Sequence, residues 1–597
     1  MEASTVKPAV ASTGSKTIAD LLPLAAQAHA ERTAVRYKRD GEWQDVSYGE
    51  VRTIVSEIGR GLIDLGIEPG ERVSLLCSTR PEWTYADFAI SSAGAVVVPI
   101  YPTNSPGECE WVAGNSESVA VICEDAEQFA KIQEVRENLP KLRTIVVIDP
   151  DGEHGDAVPL EEVRERGRGL EETAWSERYE AVGPDDPYTI IYTSGTTGPP
   201  KGCVLAHRNY RQVVNMCEEI SVLEEGDLVY LYLPLAHAYA LLIQLLAFDL
   251  GGGIAYFSGD TKQIVPELME VKPDYLPSVP RIFEKIYTLV TSNGDPEMIK
   301  GAVGVGMKVR QLQAAGQEVP AELQAHYDKA EEALFKNVRG AFGGKLKQAN
   351  TGAAPIAKEI LEFFYASGVP VMEGYGMTET ATVATTQTPD DFRLGSVGKP
   401  LPGCEVRIAE DGEVLIKGPN IFEGYYKNED ASFGTIVDGW LHTGDLGSLD
   451  EDGFLSITGR KKDIIITAGG KNLTPANIEN DLKQSRWISQ AVMYGDRRPY
   501  PVALVTLDPE EIVHFAKEHE LSEDPAELAE DPKVRELIQG ILDEANKKYA
   551  QVEQVKKFVI LDHDLTQETG ELTPTLKVKR NVINEKYADL FEALYSG

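Results

Sequence analysis

Short apolar runs alternate with helical patterns in the first part of this chain. The runs Arg72 to Leu76, Ala95 to Ile100, Val119 to Cys123 and Thr144 to Ile148 have the length and the β-branched residues of buried strands. The stretch Val51 to Leu65 instead has the apolar spacing of a helix. This alternation predicts an α/β architecture with parallel sheets.

The most apolar stretch of the chain is Tyr239 to Phe257. It is interrupted by Gln244, Asp249 and three successive glycines at 251–253, which a membrane span of that length would not tolerate well. We therefore predict a buried helix, a turn and a strand at this place.

The second half of the chain changes character twice. Residues 284–347 are helical and charged, and the spacing over Ala321 to Val338 predicts a helical insertion that packs on the core. From Leu401 to Ile457, glycines separate short β-like segments, which predicts a small barrel or sheet subdomain. Short strands then mix with acidic helices, so we predict an N-terminal domain of residues 1–460 and an α+β C-terminal domain of residues 461–597.

Composition narrows the class of protein. A chain of 597 residues exceeds the size of one hydrophobic core, so two or more domains are expected. The formal net charge of −37 disfavours nucleic acid and anionic membranes as partners. The six cysteines show no paired or metal-ligand spacing, and the N-terminus has no signal-peptide pattern, so a reducing cytoplasm fits best. A polyanionic ligand would need locally clustered cations in this acidic chain.

One such cation closes a loop that is built to hold phosphate. The strand Tyr188 to Tyr192 leads into a run of hydroxyl residues and glycines that ends at a lysine, namely Thr193, Ser194, Gly195, Thr196, Thr197, Gly198 and Lys201. Glycines let backbone N–H groups converge on an anion, hydroxyls add donors, and the lysine neutralises charge. The loop is not a Walker A loop, because Pro200 and Gly202 stand where that motif needs Gly and Ser or Thr.

Four further segments accompany this loop along the chain. They are Asn350 to Pro355, Glu373 to Thr380, Gly439 to Asp463 and Gly570 to Arg580. Together with the loop, and in this order, they resemble the adenylate-forming superfamily of acyl-CoA synthetases, luciferases and peptide-synthetase adenylation domains. The resemblance extends from about Thr17 to the C-terminus.

The resemblance implies a nucleotide site for ATP and Mg²⁺. Ala353 and Tyr375 would sandwich adenine, Thr378 would contact the α-phosphate, and Glu379 would bind Mg²⁺. Asp445 would accept both ribose hydroxyls beside Arg460, as a carboxylate is well suited to do. The nucleotide-binding set is completed, besides the phosphate loop, by Gly352, Ala354, Glu373, Gly374 and Gly376.

The resemblance also assigns catalytic roles. Lys577 would bridge the two anions that approach each other when a carboxylate attacks the α-phosphate. Leu576 departs from the glycine that is commoner before this lysine, which leaves Lys577 or Lys579 as the working residue. Lys462 matches the hinge position about which the small domain would rotate. The catalytic set is then Thr193, Lys201, His237, Glu379 and Lys577.

Three smaller segments bear on the other substrates. The segment Leu233 to Tyr239, with His237, resembles the acyl-pocket segment of the superfamily. The segment around Arg281 and the insertion after it resemble the long-chain fatty acyl-CoA synthetases, so Arg281 joins the predicted acyl pocket. Gly469, Gly470 and Lys471 resemble the loop that lines the channel for coenzyme A.

These implications combine into one hypothesis, a long-chain fatty acid–CoA ligase. Its fold would be a large N-terminal domain with two doubly wound αβα-type sheets and a small distorted β-barrel, followed by a small mobile α+β domain. Other readings stay open at this point: an aryl or medium-chain acid–CoA ligase, a fatty acyl-AMP ligase that serves a carrier protein, and a non-catalytic nucleotide-binding protein. A cytoplasmic location, at most peripheral membrane contact and a homodimer are compatible with the sequence.

Overall fold

The computed structural model of the protein describes residues 13–152, 154–193, 199–291, 294–468, 471–573 and 577–596. It has a large N-terminal and a small C-terminal domain of mixed α/β structure, which confirms the predicted fold class. Within these ranges, every helix is too short or too polar to cross a lipid bilayer.

The N-terminal part is rich in short strands. They are β1 (Thr33–Arg39), β2 (Glu42–Ser47), β3 (Arg72–Leu76), β4 (Val96–Ile100), β5 (Ala120–Cys123), β6 (Thr144–Val147), β7 (Val158–Pro159), β8 (Pro187–Thr193), β9 (Lys201–Ala206), β10 (Leu228–Leu231), β11 (Gly253–Tyr256), β12 (Tyr275–Ser278), β13 (Gln348–Thr351), β14 (Val371–Tyr375), β15 (Thr385–Thr386), β16 (Lys399–Pro400), β17 (Glu405–Ile408), β18 (Glu413–Lys417), β19 (Gly424–Tyr425), β20 (Ile436–Val437), β21 (Trp440–Leu449) and β22 (Leu455–Arg460). The C-terminal part adds β23 (Ile465–Ile466), β24 (Asn472–Leu473), β25 (Ile488–Tyr494), β26 (Val502–Leu507) and β27 (Phe558–Ile560).

The α-helices follow the same order. They are α1 (Leu21–His29), α2 (Tyr48–Asp64), α3 (Pro81–Ser92), α4 (Pro106–Asn115), α5 (Ala126–Val135), α6 (Leu160–Arg168), α7 (Thr173–Ala181), α8 (His207–Glu218), α9 (Ala238–Asp249), α10 (Ile264–Val271), α11 (Pro280–Thr291), α12 (Pro296–Ala314), α13 (Ala321–Ala330), α14 (Lys336–Ala341), α15 (Lys358–Ala366), α16 (Glu429–Thr435), α17 (Pro475–Lys483), α18 (Ile512–Glu518), α19 (Pro525–Glu530), α20 (Pro532–Asn546), α21 (Arg580–Lys586) and α22 (Ala588–Ser596). Short 3₁₀ turns occupy Arg136–Asn138, Thr261–Gln263, Thr378–Thr380 and Lys461–Asp463, and a π-helical turn occupies Glu331–Phe335.

Two large sheets form the centre of the N-terminal domain. One has the strand order β16-β15-β14-β13-β12-β10-β11-β1-β2, and the other has the order β19-β9-β8-β4-β3-β5-β6-β7. The inner strands of both sheets run parallel, while antiparallel strands lie at the edges. In sheets of this kind, ligands bind beyond the carboxyl ends of the parallel strands. The ends of β8, β13 and β14 are therefore the places to look for a site.

One apolar core joins the two large sheets. Val35 and Ile254 come from the first sheet and Val73 and Val97 from the second, and α9 lies between them with nearly all of its residues buried. The stretch Tyr239 to Phe257 thus forms a buried helix, a turn and β11, as its interrupted apolar pattern predicted.

Smaller sheets complete the two domains. Strands β17, β18, β20, β21 and β22 form an antiparallel sheet where the sequence predicted a small β-subdomain. In the C-terminal domain, β25, β26 and β27 form a sheet covered by helices, and this domain has its own apolar core, which includes Ile478, Val505 and Ile538. Between these units, the short 3₁₀ turn Lys461–Asp463 carries the chain from one core to the other.

Candidate active site

Asp445 is the centre of the first cluster of polar side chains. The antiparallel pairing of β21 with β22 places Asp445 directly opposite Arg460, whose Nε donates to Asp445 Oδ1 at 2.7 Å. The hydroxyl of Tyr375, at the end of β14, donates to Asp445 Oδ2 at 2.7 Å. Burial and the neighbouring carboxylate of Asp445 raise the pKa of Tyr375 well above its usual range. The small β-subdomain and the first large sheet thus meet at one buried carboxylate.

Glu379 is the centre of a second cluster. It lies in the 3₁₀ turn that follows β14, and Tyr425 Oη donates to Glu379 Oε1 at 2.6 Å. The Nζ atom of Lys201 lies 5.0 Å from the centre of the Tyr425 ring, which is cation–π geometry. Strand β19 pairs Tyr425 with Cys203 of β9, two residues beyond Lys201. One tyrosine therefore connects the lysine of the phosphate loop to the predicted metal ligand.

The two ends of the phosphate loop are held together. Thr193 at the end of β8 pairs with Lys201 at the start of β9, and Thr193 Oγ1 donates to the Lys201 carbonyl at 3.4 Å. The indole N–H of Trp111, on α4, donates to the carbonyl of Pro200 at 2.8 Å. The predicted phosphate contacts at Ser194, Gly195, Thr196, Thr197 and Gly198 lie outside the described residues.

The C-terminal domain brings Lys577 to these clusters. Burial and the neighbouring Arg460 lower the pKa of Lys577, while the carboxylates of Asp445 and Glu379 oppose this shift. The ammonium is thus within electrostatic reach of both clusters, although the side chain keeps access to solvent. Lys579 is directed elsewhere, since its Nζ lies 3.9 Å from Glu108 Oε1 on α4.

The site as a whole concentrates positive charge. Burial lowers the pKa of Lys462, and so do the neighbouring cations Arg460 and Lys201. With Lys577, this makes four cations that interact electrostatically with one another and with Glu379, Asp445 and Asp463. In a chain whose formal net charge is −37, such a local excess of cations suits a polyanionic ligand such as a nucleoside triphosphate.

The predicted adenine segment lies at the ends of β13 and β14. Gly352, Ala353 and Ala354 form the turn after β13, and Ala353 has a left-handed φ of +66°. After β14 the chain folds back so tightly that a Cβ on Gly376 would lie 2.1 Å from the carbonyl oxygen of Thr382. Gly374 and Thr378 belong to this same folded segment, and Thr378 is buried.

Glu373 points into the protein at this place. Its Oε2 accepts the backbone N–H of Gly395 at 3.2 Å, and burial raises the pKa of Glu373 to about 8. Its carboxyl group is therefore protonated at neutral pH, and its contact is with the protein backbone.

Replacing Glu373 with Gln should change how stability depends on pH. Because the pKa of Glu373 is raised to about 8 by folding, its contribution to stability is complete below pH ~4.5 and is lost as the pH rises through 8. Gln keeps an oxygen for the Gly395 N–H and cannot ionise. We expect Glu373→Gln to match the wild type at pH 4.5 and to exceed it at pH 9 by on the order of a few kcal/mol. Denaturant unfolding at both pH values measures this, and parallel pH profiles would contradict it.

The predicted acyl-pocket residues separate into two places. His237 caps the N-terminus of α9, where its Nδ1 accepts the N–H of Tyr239 at 3.2 Å. Burial and the nearby Lys577 lower its pKa to about 4, so the imidazole is neutral at pH 7. Arg281 lies elsewhere: its guanidinium is half-exposed and forms an ion pair with Asp508 of the C-terminal domain. This partner assigns Arg281 to the contact between the domains.

Two tyrosines, on α9 and β12, hold the adenine segment in place. Tyr239 Oη donates to the carbonyl of Asn350 at 3.2 Å, and Tyr275 Oη donates to Asn350 Oδ1 at 2.9 Å. Burial raises the pKa of both tyrosines above their usual range. These rings connect α9 and β12 to the adenine segment at the end of β13.

The predicted coenzyme A segment is described in part. Lys471 lies immediately before β24, and its Nζ is 3.3 Å from Glu553 Oε1. Gly469 and Gly470 lie outside the described residues.

Sequence reasoning missed Tyr425 and Trp111. Both residues contact the ends of the phosphate loop from elements that are distant in sequence. The only local signal is that Trp111 is a large aromatic residue on an otherwise polar helix face, and Gly424 precedes a pair of tyrosines. Neither signal indicates a partner without the fold.

Comparison with known proteins identifies two matching families and several similar proteins. The family described as AMP-binding enzyme matches residues 22–426, and the one described as AMP-binding enzyme C-terminal domain matches residues 462–597. The Long-chain-fatty-acid--CoA ligase FadD15 of Mycobacterium bovis is 38% identical over 94% of both chains. The Long-chain-fatty-acid--CoA ligase ACSBG2 of Gallus gallus is 32% identical over 97% of this chain and 81% of its own.

A solved structure shares the fold. The adenylation domain of the carboxylate reductase from Mycobacterium chelonae superposes with a TM-score of 0.77 at 21% identity, covering 99% of this chain and 92% of that domain. At this level of identity, the similarity concerns the arrangement of the two domains and their sheets.

Proposed function

The chain belongs to the AMP-binding enzyme family, and from this premise we propose that it is a long-chain fatty acid–CoA ligase. ATP activates the fatty acid as an acyl adenylate with release of pyrophosphate, and coenzyme A then takes the acyl group as a thioester. The observation that carries this proposal is a pair of buried carboxylates with cations beside them: Asp445 is paired with Arg460, and Tyr425 connects Glu379 to Lys201.

In the first half-reaction, a carboxylate oxygen of the fatty acid attacks the α-phosphorus of ATP. The bond from this phosphorus to the oxygen that bridges to the β-phosphate breaks, and pyrophosphate leaves. Two anions must approach each other, so Lys577 stabilises the charge that develops between them. Lys201 and the loop from Thr193 bind the outgoing phosphates, and Asp445 accepts the ribose hydroxyls beside Arg460.

Glu379 is suited to hold a magnesium ion. It is a buried carboxylate at the phosphate side of the site, with one oxygen fixed by Tyr425. Mg²⁺ usually takes one or two protein carboxylates and completes its coordination with phosphate oxygens and water, so a single glutamate fits. When bound, the ion would neutralise part of the triphosphate charge. We propose that Thr378, in the same turn, contacts the α-phosphate.

In the second half-reaction, the sulfur of coenzyme A attacks the acyl carbonyl carbon and AMP leaves. We propose that residues 461–597 rotate about Lys462 between the two steps, which removes Lys577 and brings the loop at Gly469, Gly470 and Lys471 to the site. The 3₁₀ turn at Lys461–Asp463 is short and joins two separate cores, which suits a hinge. His237, neutral at pH 7, borders the reacting carbonyl in this arrangement.

A long-chain substrate agrees with the aromatic surroundings of the site and with the relatives. We propose that the rings of Tyr239, two residues from His237, and of Tyr275 border the alkyl chain, since Asn350 holds both of their hydroxyls and so fixes the rings. Because the fatty acid is amphiphilic, we expect the enzyme to act in the cytoplasm or peripherally at the inner face of the membrane.

A substrate screen tests the proposal. Carboxylic acids of graded length are supplied with ATP and Mg²⁺, with either coenzyme A or a carrier protein as acceptor, and pyrophosphate and thioester are measured. We expect the highest kcat/KM for long-chain acids with coenzyme A. Preference for an aryl or medium-chain acid, or for the carrier protein, would refute the substrate assignment, and absence of pyrophosphate release would refute the activity.

Replacing Glu379 with Gln should raise the magnesium requirement. The amide keeps an oxygen for the Tyr425 hydroxyl but loses the negative charge that attracts the cation. We expect the Mg²⁺ concentration for half-maximal activity to rise about 10-fold, or ~1.4 kcal/mol. A Mg²⁺ titration of pyrophosphate release measures this. An unchanged titration would exclude Glu379 as the ligand.

A further inference from the structure

Helix α11 of the N-terminal domain faces the C-terminal domain through charged side chains. Arg281 Nη2 pairs with Asp508 Oδ2, and Lys285 Nζ lies 3.4 Å from Glu510 Oε2. Arg281 and Lys285 are four residues apart and therefore lie on one face of the helix. Asp508 and Glu510 lie in the turn between β26 and α18, so two cations of one domain meet two carboxylates of the other.

Two backbone N–H groups of its own domain order the carboxylate of Asp508. Its Oδ1 accepts the backbone N–H groups of Glu510 and Glu511, both at 3.0 Å, and the residue is only 4% exposed. This leaves Oδ2 for the guanidinium. An acceptor that its own backbone already orders gives a stronger ion pair than two mobile surface side chains.

Arg281 lies at a position where the dipole of its own helix does not favour a cation. It follows Pro280 in the first turn of α11, and a cation at a helix N-terminus opposes the helix dipole. One turn along the helix, burial raises the pKa of Glu284. Two cations oppose this shift: Arg281 of the same helix, and Lys483, which belongs to the C-terminal domain. Arg281 thus has one acceptor on its own helix, Glu284 Oε2 at 3.8 Å, and a second, Asp508, in the other domain.

We propose that Arg281 is a positioning residue for adenylate formation, whose ion pair with Asp508 holds the C-terminal domain in the orientation that delivers Lys577 to the site. This inference rests on the proposed function. Helix α11 belongs to the N-terminal domain and Asp508 to the other, so rotation about Lys462 breaks the pair. The pair therefore stabilises the orientation of the first half-reaction and contributes nothing to the second.

Two variants test the pair from both sides. Arg281→Ala removes the guanidinium, and Asp508→Asn removes the charge while keeping an oxygen for the N–H groups of Glu510 and Glu511. We expect each to slow single-turnover formation of acyl-AMP by about 3- to 10-fold and to leave thioester formation from supplied acyl-AMP unchanged. The double variant should be no slower than either single one, because both remove the same interaction.

Two further proteins serve as controls. Arg166→Ala removes an arginine of similar exposure whose ion pairs, with Glu162 and Asp64, lie wholly within the N-terminal domain, and it should leave both half-reactions unchanged. Arg281→Lys keeps the charge and should recover most of the acyl-AMP rate. The ratio of wild-type to Arg281→Ala rates should also shrink at high salt, since the exposed side of the pair is screened.

The outcomes separate this inference from the proposed function. Wild-type rates of acyl-AMP formation in Arg281→Ala, equal losses in both half-reactions, or additive losses in the double variant would overturn the positioning role. A wild-type protein that forms no acyl-AMP from any acid would overturn the proposed function instead.

Discussion

Replacing Lys577 with Ala is expected to reduce acyl-AMP formation by about 10²- to 10³-fold while thioester formation from supplied acyl-AMP stays within about 3-fold of wild type. The loss is large because one ammonium stabilises the charge that develops as two anions meet at the α-phosphorus, in a site partly shielded from water. The second step is spared because Lys577 acts only in the first orientation of the C-terminal domain. Pyrophosphate release and a thiol-capture assay measure the two steps separately.

Lys579→Ala is the matched control for Lys577. The two lysines are two residues apart, yet Lys579 is directed to Glu108 while Lys577 faces Arg460, Asp445 and Glu379. We expect Lys579→Ala to change acyl-AMP formation by less than about 3-fold, in the range of a surface ion pair. A larger loss for Lys579→Ala would assign the catalytic role to Lys579. Equal losses for the two variants would contradict a distinct role for Lys577.

The pH profile gives an independent readout of Lys577. Its pKa is lowered by burial and by Arg460, so the ammonium loses its proton at a lower pH than an ordinary lysine. The cation is needed in its charged form, so the rate of acyl-AMP formation should fall on the alkaline side as Lys577 deprotonates. Arg does not deprotonate in this range, so any activity that remains in Lys577→Arg should lack this alkaline fall.

The fold was largely predictable because its signals are local. The strand at Arg72 to Leu76 has the predicted bounds, and those predicted at Ala95 to Ile100 and Val119 to Cys123 each begin one residue later, since buried strands carry short β-branched runs between turn residues. The π-helical turn at Glu331–Phe335 was not predicted, because its sequence continues the ordinary helical spacing of α13. The order of the strands could not be predicted from hydrophobic periodicity either. Neighbouring strands such as β1 and β11 are more than 200 residues apart in the sequence.

The candidate site was predictable only where several of its functional groups lie in one short segment of the sequence. The loop from Thr193 to Lys201 and the turn with Glu379 each combine glycines with polar groups in one short segment. Arg281 shows the limit of such reasoning, because an arginine in a family-like segment was assigned to the acyl pocket while the fold pairs it with Asp508 of the other domain. Tyr425 was missed for the same reason, as its partners Lys201 and Glu379 meet it only in space.

Replacing Asp445 with Ala is expected to raise the KM for ATP by about 10- to 100-fold and to slow acyl-AMP formation to a similar degree. Both oxygens of this buried carboxylate are occupied, one by Arg460 Nε and the other by the Tyr375 hydroxyl. Without it, Arg460 loses its counter-charge next to Lys462 and Lys577, and the tyrosine hydroxyl loses its acceptor. The ribose would also lose the acceptor of its hydroxyl protons. Initial rates against ATP concentration measure the effect.

Two further variants, Asp445→Asn and Asp45→Ala, identify which property of Asp445 causes the rise in the KM for ATP. Asp45 forms an exposed ion pair with Arg36 within the first sheet, so its removal should leave the KM for ATP unchanged. Asn at 445 keeps an oxygen acceptor but no charge, and we expect an intermediate KM. If Asp445→Asn is as impaired as Asp445→Ala, the charge that balances Arg460 and Lys577 is what matters. If Asp445→Ala binds ATP normally, the buried carboxylate only joins the small β-subdomain to the first large sheet. The ribose must then be bound elsewhere.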